Sequence, residues 1–196
     1  MWRFPRRRLL AESRGATTVE FALISPVLLM MLMGTWELGY NLYASMMLQG
    51  VITKAGRDST IEGAGSTTGT IDQSVTDRVR QIVPNATLAF TRKSYSSLGN
   101  VSRPEDFTDN NTNGTCDGGE PFEDANGNGT WDSDRGRNGI GGARDAVLYT
   151  VTMTYPRTFA MAKLAGFSTN VTITAQTILR NQPYSLQQIT VTTGNC

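Results

Sequence analysis

The chain contains no histidine, so it lacks the side chain most often used as a general base near neutral pH and as an imidazole ligand for transition metals. It has two cysteines, Cys116 and Cys196, too far apart in sequence to be a CxxC redox or zinc pair. If their domain lies outside the cytoplasm they form one disulfide; otherwise they are two free thiols. A net charge of +1 provides no basic excess for a nucleic-acid surface. No nucleophile stands beside a recognisable base, and the acidic pairs read better as metal ligands than as acid–base machinery. An enzyme is therefore not expected.

The charge that is present is unevenly placed. Residues 1–15 hold five arginines against one glutamate, whereas residues 16–196 hold thirteen basic and sixteen acidic side chains. Phe21 to Trp36 then carries no charge at all. About twenty residues of helix from Ala16 cover roughly 30 Å, the thickness of a bilayer's hydrocarbon core. Arg3, Arg6, Arg7, Arg8 and Arg14 have no counterpart just beyond Trp36, which puts the N-terminus in the cytoplasm and the C-terminal domain outside it. Glu20 falls inside the span, where a carboxylate costs about 2.5–3.5 kcal/mol on insertion scales and calls for a partner. Pro26 removes one backbone donor within the span. Leu38, Leu42, Met46, Met47 and Val51 continue an apolar stripe, which predicts one helix from Ala16 to about Asp58.

Gly15, then Ala16-Thr17-Thr18-Val19, then Glu20-Phe21 resembles the processing site of type IV prepilins. From Arg14 to Arg57 the sequence resembles the TadE-like pseudopilins, minor pilin-type proteins of the Tad (Flp) pilus assembly system, and a weaker resemblance returns at YPRTFAMAKLAGFSTNVTITAQTILRNQPY. The resemblance implies cleavage by a prepilin peptidase between Gly15 and Ala16. It also implies contact of Glu20 with the new amine of a neighbouring subunit, which neutralises two charges in an apolar setting. Its implied partners are that peptidase, other pilins or pseudopilins, the pilus assembly platform and the lipid bilayer, with no nucleic acid. The implied location is a bacterial inner membrane, crossed once, with an extracytoplasmic (periplasmic) domain that enters an extracellular pilus.

Beyond the helix, Glu62–Gly69 reads as a loop by composition. Ile71, Val75, Val79 and Ile82–Val83 then space one apolar helical face, ended by Pro84. Residues 86–95, 146–155 and 171–179 are rich in β-branched and aromatic residues and predict antiparallel strands. Residues 185–193 add an edge strand. The expected fold is α+β and pilin-like: a leader over 1–15, a transmembrane and extended helix over 16–58 packed on a small antiparallel sheet, and an extracytoplasmic domain over 59–196. That domain includes an acidic insertion at 105–135.

The insertion carries nine acidic residues and one basic residue. Asp109, Asn111, Asn113, Gly114, Thr115, Asp117 and Glu120 occupy positions one, three, five, six, seven, nine and twelve of an EF-hand-type calcium loop. In that template oxygen-bearing side chains at alternate positions face the ion, the position-seven carbonyl adds a ligand, and glycine permits the sharp turn. A second copy begins fifteen residues later with Asp124, Asn126, Asn128, Gly129, Thr130 and Asp132. It places Asp134 eleventh and Arg135 twelfth, so its closure is open. Pro121 and the lack of helical periodicity on the flanks point away from an EF-hand fold. One or two Ca2+ ions are expected, and a bond from Cys116 to Cys196 would tether the first loop to the chain end. Two functions stay open: a pseudopilin that assembles or initiates a pilus, and a signal-anchored calcium-binding surface protein or adhesin outside any filament.

Overall fold

The computed structural model describes residues 15–58, 64–159, 163, 166–181 and 191–196. The basic leader before Gly15 and most of the predicted 185–193 strand lie outside these residues. The chain divides into two compact units, one of residues up to Leu42 with Arg157–Thr169, the other of Tyr43–Pro156 with Asn170–Cys196.

Helix α1 spans Ala16–Asp58 and continues through Pro26. It is the only helix among the described residues that is long and apolar enough to cross a membrane. Its N-terminal part presents large apolar side chains on all sides, Leu23 being 75 % exposed, which is the pattern of a helix solvated by lipid. In the first unit Arg157 ties the Arg157–Thr169 segment to this helix. Its Nη1 lies 2.5 Å from Glu37 Oε1, and its Nε donates to the Ser168 carbonyl at 2.7 Å.

The second unit is a layer of helix on sheet. From α1 it buries Ala44, Leu48, Ile52 and Ala55, spaced so that one stripe faces inward. Helix α2 spans Ala64–Arg80 and adds Val75 and Val79, with Val83 just beyond its end. The start at Ala64 corrects the loop expected over Glu62–Gly69. Once the apolar stripe is docked, each further helical residue adds a hydrogen bond without a new nucleation step, so the helix extends through Gly, Ser and Thr residues that alone favour turns.

Strands β1 (Thr87–Tyr95), β2 (Pro121–Asp124), β3 (Arg137–Asn138), β4 (Ala146–Pro156), β5 (Asn170–Arg180) and β6 (Thr192–Asn195) form two sheets. The larger has the order β3-β1-β4-β5, antiparallel throughout. Its inner face carries Tyr149, Val151, Met153 and Tyr155 from β4 and Ala175 from β5, all buried. Its outer face pairs threonines across strands, Thr152 with Thr174 and Thr154 with Thr172. Asp72 on α2 locks the layers together: it accepts both Arg92 Nη groups at 2.6 and 2.9 Å and the Tyr149 hydroxyl at 2.7 Å. Desolvation and the facing Asp72 carboxylate push the Tyr149 hydroxyl well above its ordinary pKa.

The smaller sheet pairs β2 with β6. Of the edge strand expected over 185–193, Thr192 and Thr193 pair with β2 in this smaller sheet rather than with the main one, and β2 itself lies within the acidic insertion. Phe122 is 2 % exposed, and its ring fills the space a side chain on Gly194 would need, so only glycine lets β6 close over it.

Candidate functional site

Two places carry the residues singled out from sequence. At the head of α1, Gly15 lies in the turn before the helix, and its carbonyl accepts the Val19 N–H at 3.2 Å. A Cβ at Gly15 would meet nothing within 4 Å, so the described fold does not require glycine there. Ala16 and Glu20 are both exposed.

The second place is the acidic insertion, held between β1 and β4. In the first loop Asp109 accepts the N–H groups of Asn113 and Gly114 at 3.2 and 2.8 Å. Asn111 accepts the Asn113 N–H, and Asn113 accepts the Thr115 N–H. The amides of Asn111 and Asn113 donate to Asp117 at 2.9 and 2.5 Å and hold its carboxyl below the ordinary carboxylate pKa. The second loop repeats the pattern. Asp124 accepts Asn128 and Gly129, Asn126 accepts Asn128, Asn128 accepts Thr130, and both asparagine amides donate to Asp132. Burial pushes the Asp124 carboxyl up, but the N–H groups of Gly129, Gly127 and Asn128, with the Thr192 hydroxyl, outweigh it and hold the pKa below its usual value.

The closing residues are exchanged. Glu120 accepts the N–H groups of Asn110 and Asp117, the second and ninth positions of the first loop, at 2.8 and 3.0 Å. Glu105 does the same for the second loop, accepting the N–H groups of Ala125 and Asp132 at 2.8 and 3.0 Å. Both glutamates are buried, 4 % and 1 % exposed. The backbone between them is reciprocal too. Thr108 N–H donates to Pro121 O and Glu123 N–H to Asp106 O, and Phe107 bridges Phe122. Residues 105–117 and 120–132 are therefore two copies of one unit, Glu-x-Phe-x-Asp-x-Asn-x-Asn-Gly-Thr-x-Asp, each of whose leading glutamates closes the other copy's loop.

Sequence reasoning missed Glu105 because the loop template looks for its last ligand downstream, where Arg135 stands. The signal was the Glu-x-Phe that precedes both loops. Asp134, counted among the second loop's candidate ligands, is engaged elsewhere: it accepts Lys93 Nζ at 2.6 Å and the Tyr95 hydroxyl at 2.9 Å. Burial raises its pKa, but the bonds from Lys93, Tyr95 and Gly136 prevail and hold it low. Desolvation and that same carboxylate push Tyr95 up. Arg135 pairs with Asp106 at 2.6 Å.

Cys116 and Cys196 are disulfide-bonded, with Cα atoms 5.6 Å apart, and the Cys196 N–H donates to Glu120 O at 2.9 Å. All side-chain acceptors in the two loops are oxygens, a donor set that suits a hard cation such as Ca2+ rather than a thiophilic metal. Among the described residues, however, no three His, Cys, Asp or Glu side chains come together as a cage for a metal. Each loop supplies asparagine where a stronger site has a third aspartate, and backbone N–H groups meet its carboxylates.

The TadE-like protein family matches residues 15–57, the stretch that opens at Gly15 and takes in Glu20. No curated protein and no solved structure matches the chain. The N-terminal segment is TadE-like, which points to a Tad pilus-associated protein, and the one long apolar helix among the described residues points to a membrane anchor.

Proposed function

We propose that this protein is a minor pseudopilin that takes part in assembling or initiating a Tad-type pilus, and that its external domain is steadied by Ca2+. The observation that carries the first half is the family match at residues 15–57, which begins at the glycine of the prepilin-like cut site. A peptidase at the cytoplasmic membrane face needs an unobstructed backbone at the cut. Among the described residues nothing crowds Gly15, so its glycine serves what acts on the chain rather than the described fold. Cleavage frees the amine of Ala16. A neighbouring subunit's amine then meets Glu20, offsetting in the filament the insertion cost of a carboxylate in the span.

In the second half, the first loop takes Ca2+ through Asp109, Asn111, Asn113, the Thr115 carbonyl, Asp117 and Glu120. The second takes it through Asp124, Asn126, Asn128, the Thr130 carbonyl and Asp132, with Glu105 in the place that Arg135 vacates. The ion replaces the amide N–H groups that now face Asp117 and Asp132, so the asparagine amides turn their oxygens inward. It neutralises carboxylates that otherwise repel one another, which orders the insertion. No catalytic role is proposed.

The N-terminal residue of protein purified from membranes that carry the matching peptidase tests the first half. Ala16 is expected; a retained Met1 favours a signal-anchored calcium-binding surface protein or adhesin, a reading supported by how much of the external domain the loop pair occupies. Limited proteolysis of the same protein with Ca2+ and with a chelator tests the second half. Protection of residues 109–134 by Ca2+ is expected, and identical digestion counts against it.

A further inference from the structure

We infer that the described residues between β4 and β5, 157–159, 163 and 166–169, form a second membrane contact in the headgroup region of the leaflet where α1 emerges. The argument begins at Glu37, the first charged residue after the uncharged run from Phe21 to Trp36. At 1.5 Å of rise per residue, Glu37 stands at the edge of whatever hydrocarbon that run spans. Trp36, 71 % exposed, is the kind of amphipathic ring that settles at this level.

Arg157 reaches Glu37 at 2.5 Å, and the pair is largely shielded from solvent, with side-chain exposures of 23 % and 11 %. This pair belongs to one compact unit with the helix up to Leu42, so Arg157 is held at the helix's exit level. The Arg157 N–H also donates to Thr169 O at 2.9 Å, which closes the base of the segment. Its described residues show outward an aromatic ring and a cation: Phe167 is 62 % exposed, and Lys163 is exposed too. The Arg157 guanidinium lies 5.9 Å from the Phe167 ring centre. A large apolar ring left open to water beside a guanidinium, with an exposed lysine in the same connection and a membrane exit at its base, matches headgroup-level chemistry. There the ring enters the acyl boundary while the ammonium faces anionic phosphates. The occupant is the bilayer, because the surface is continuous with the span.

The inference rests on α1 crossing a membrane, and one experiment separates the two. The oxidised full chain is reconstituted in vesicles containing anionic lipid, with a polarity-sensitive fluorophore on a single new cysteine, either Leu28→Cys or Thr169→Cys. Quenchers are placed shallow or deep on lipid acyl chains. We expect deep quenching at position 28, and at position 169 emission shifted to shorter wavelength with shallow quenching. Adding Phe167→Ser removes most of the quenching at 169, and Lys163→Glu reduces it in anionic but not in zwitterionic vesicles. Quenching at 28 with none at 169 overturns the inference and leaves the span intact. Emission at 169 that is shifted but unquenched by lipid also overturns it, in favour of a protein partner. No quenching at either position removes the span and the inference together. Shallow quenching at 169 that ignores both Phe167→Ser and Lys163→Glu overturns the roles given to those side chains.

Discussion

The two acidic loops use Asp, Asn, Asn, Gly, Thr and Asp at equivalent positions and differ in what holds them. The first places Cys116 at its eighth position and is bonded through it to Cys196 beside β6. The second places Trp131 there. Its ring packs edge-on against Phe107 at 5.8 Å, and its Nε1 donates to Glu105 O at 2.9 Å. One anchor is covalent and the other is a packed aromatic ring with a hydrogen bond. The closing glutamate comes after the first loop and nineteen residues before the second, at Glu105. In this domain the shape of a loop is set by local spacing, whereas its closure is set by whichever chain lies against it.

The largest expected effect comes from removing the covalent anchor. Cys116→Ser with Cys196→Ser opens a link spanning 80 residues, for which chain entropy predicts a loss of about 4 kcal/mol. Urea unfolding measures the loss, and hydrogen exchange locates it, rising first in the first loop. Equal loosening of both loops would erase the contrast between them. Glu105→Ala comes next. It leaves the N–H groups of Ala125, Asn126 and Asp132 without their acceptor in a buried site, which costs about 3 kcal/mol. Exchange should rise at those amides before it does at Asn110 and Asp117.

Acid should act on both loops. The carboxyls of Asp117, Asp124 and Asp134 have pKa values lowered in the folded state from an ordinary value near 3.8. The stability they contribute is fully present above that value and is lost as pH falls through the lower, folded values. A urea midpoint that is flat from neutral pH to pH 5 and declines below about pH 4 is the expected profile. Asp134→Asn should flatten part of the decline. The smallest effect belongs to Arg135→Glu, which restores a glutamate at the second loop's twelfth position. It removes the pair to the 76 % exposed Asp106 and the Arg135 Nε bond to the Pro104 carbonyl, together worth about 1 kcal/mol, and should not rescue Glu105→Ala in a urea titration. Rescue would mean that the template, not Glu105, closes this loop.

Much of the architecture was legible because the signals were local. The uncharged run and its apolar continuation mark α1, and alternating β-branched residues mark β1, β4 and β5 within a residue or two of their ends. What stayed hidden depends on contacts distant in sequence. The pairing of β2 with β6 joins segments about seventy residues apart, with β2 inside a stretch whose polarity reads as loop. The ion pair of Glu37 with Arg157 is more remote still, 120 residues apart along the chain. Glu105 lies between these cases. The repeat was visible by eye, but its exchanged geometry has no counterpart in a pattern that counts forward from the first aspartate.

The reciprocal closure also sets an order of events during synthesis. Residues 105–117 leave the ribosome before the glutamate that closes them, and the copy at 120–132 completes both loops in one step. Cys116 then waits for a partner 80 positions behind it. Through that interval the thiol is available to any oxidant or exchange catalyst in the compartment that receives the chain. Maturation of this domain is thus timed by chain delivery, with the acidic pair assembled first and the covalent latch applied last.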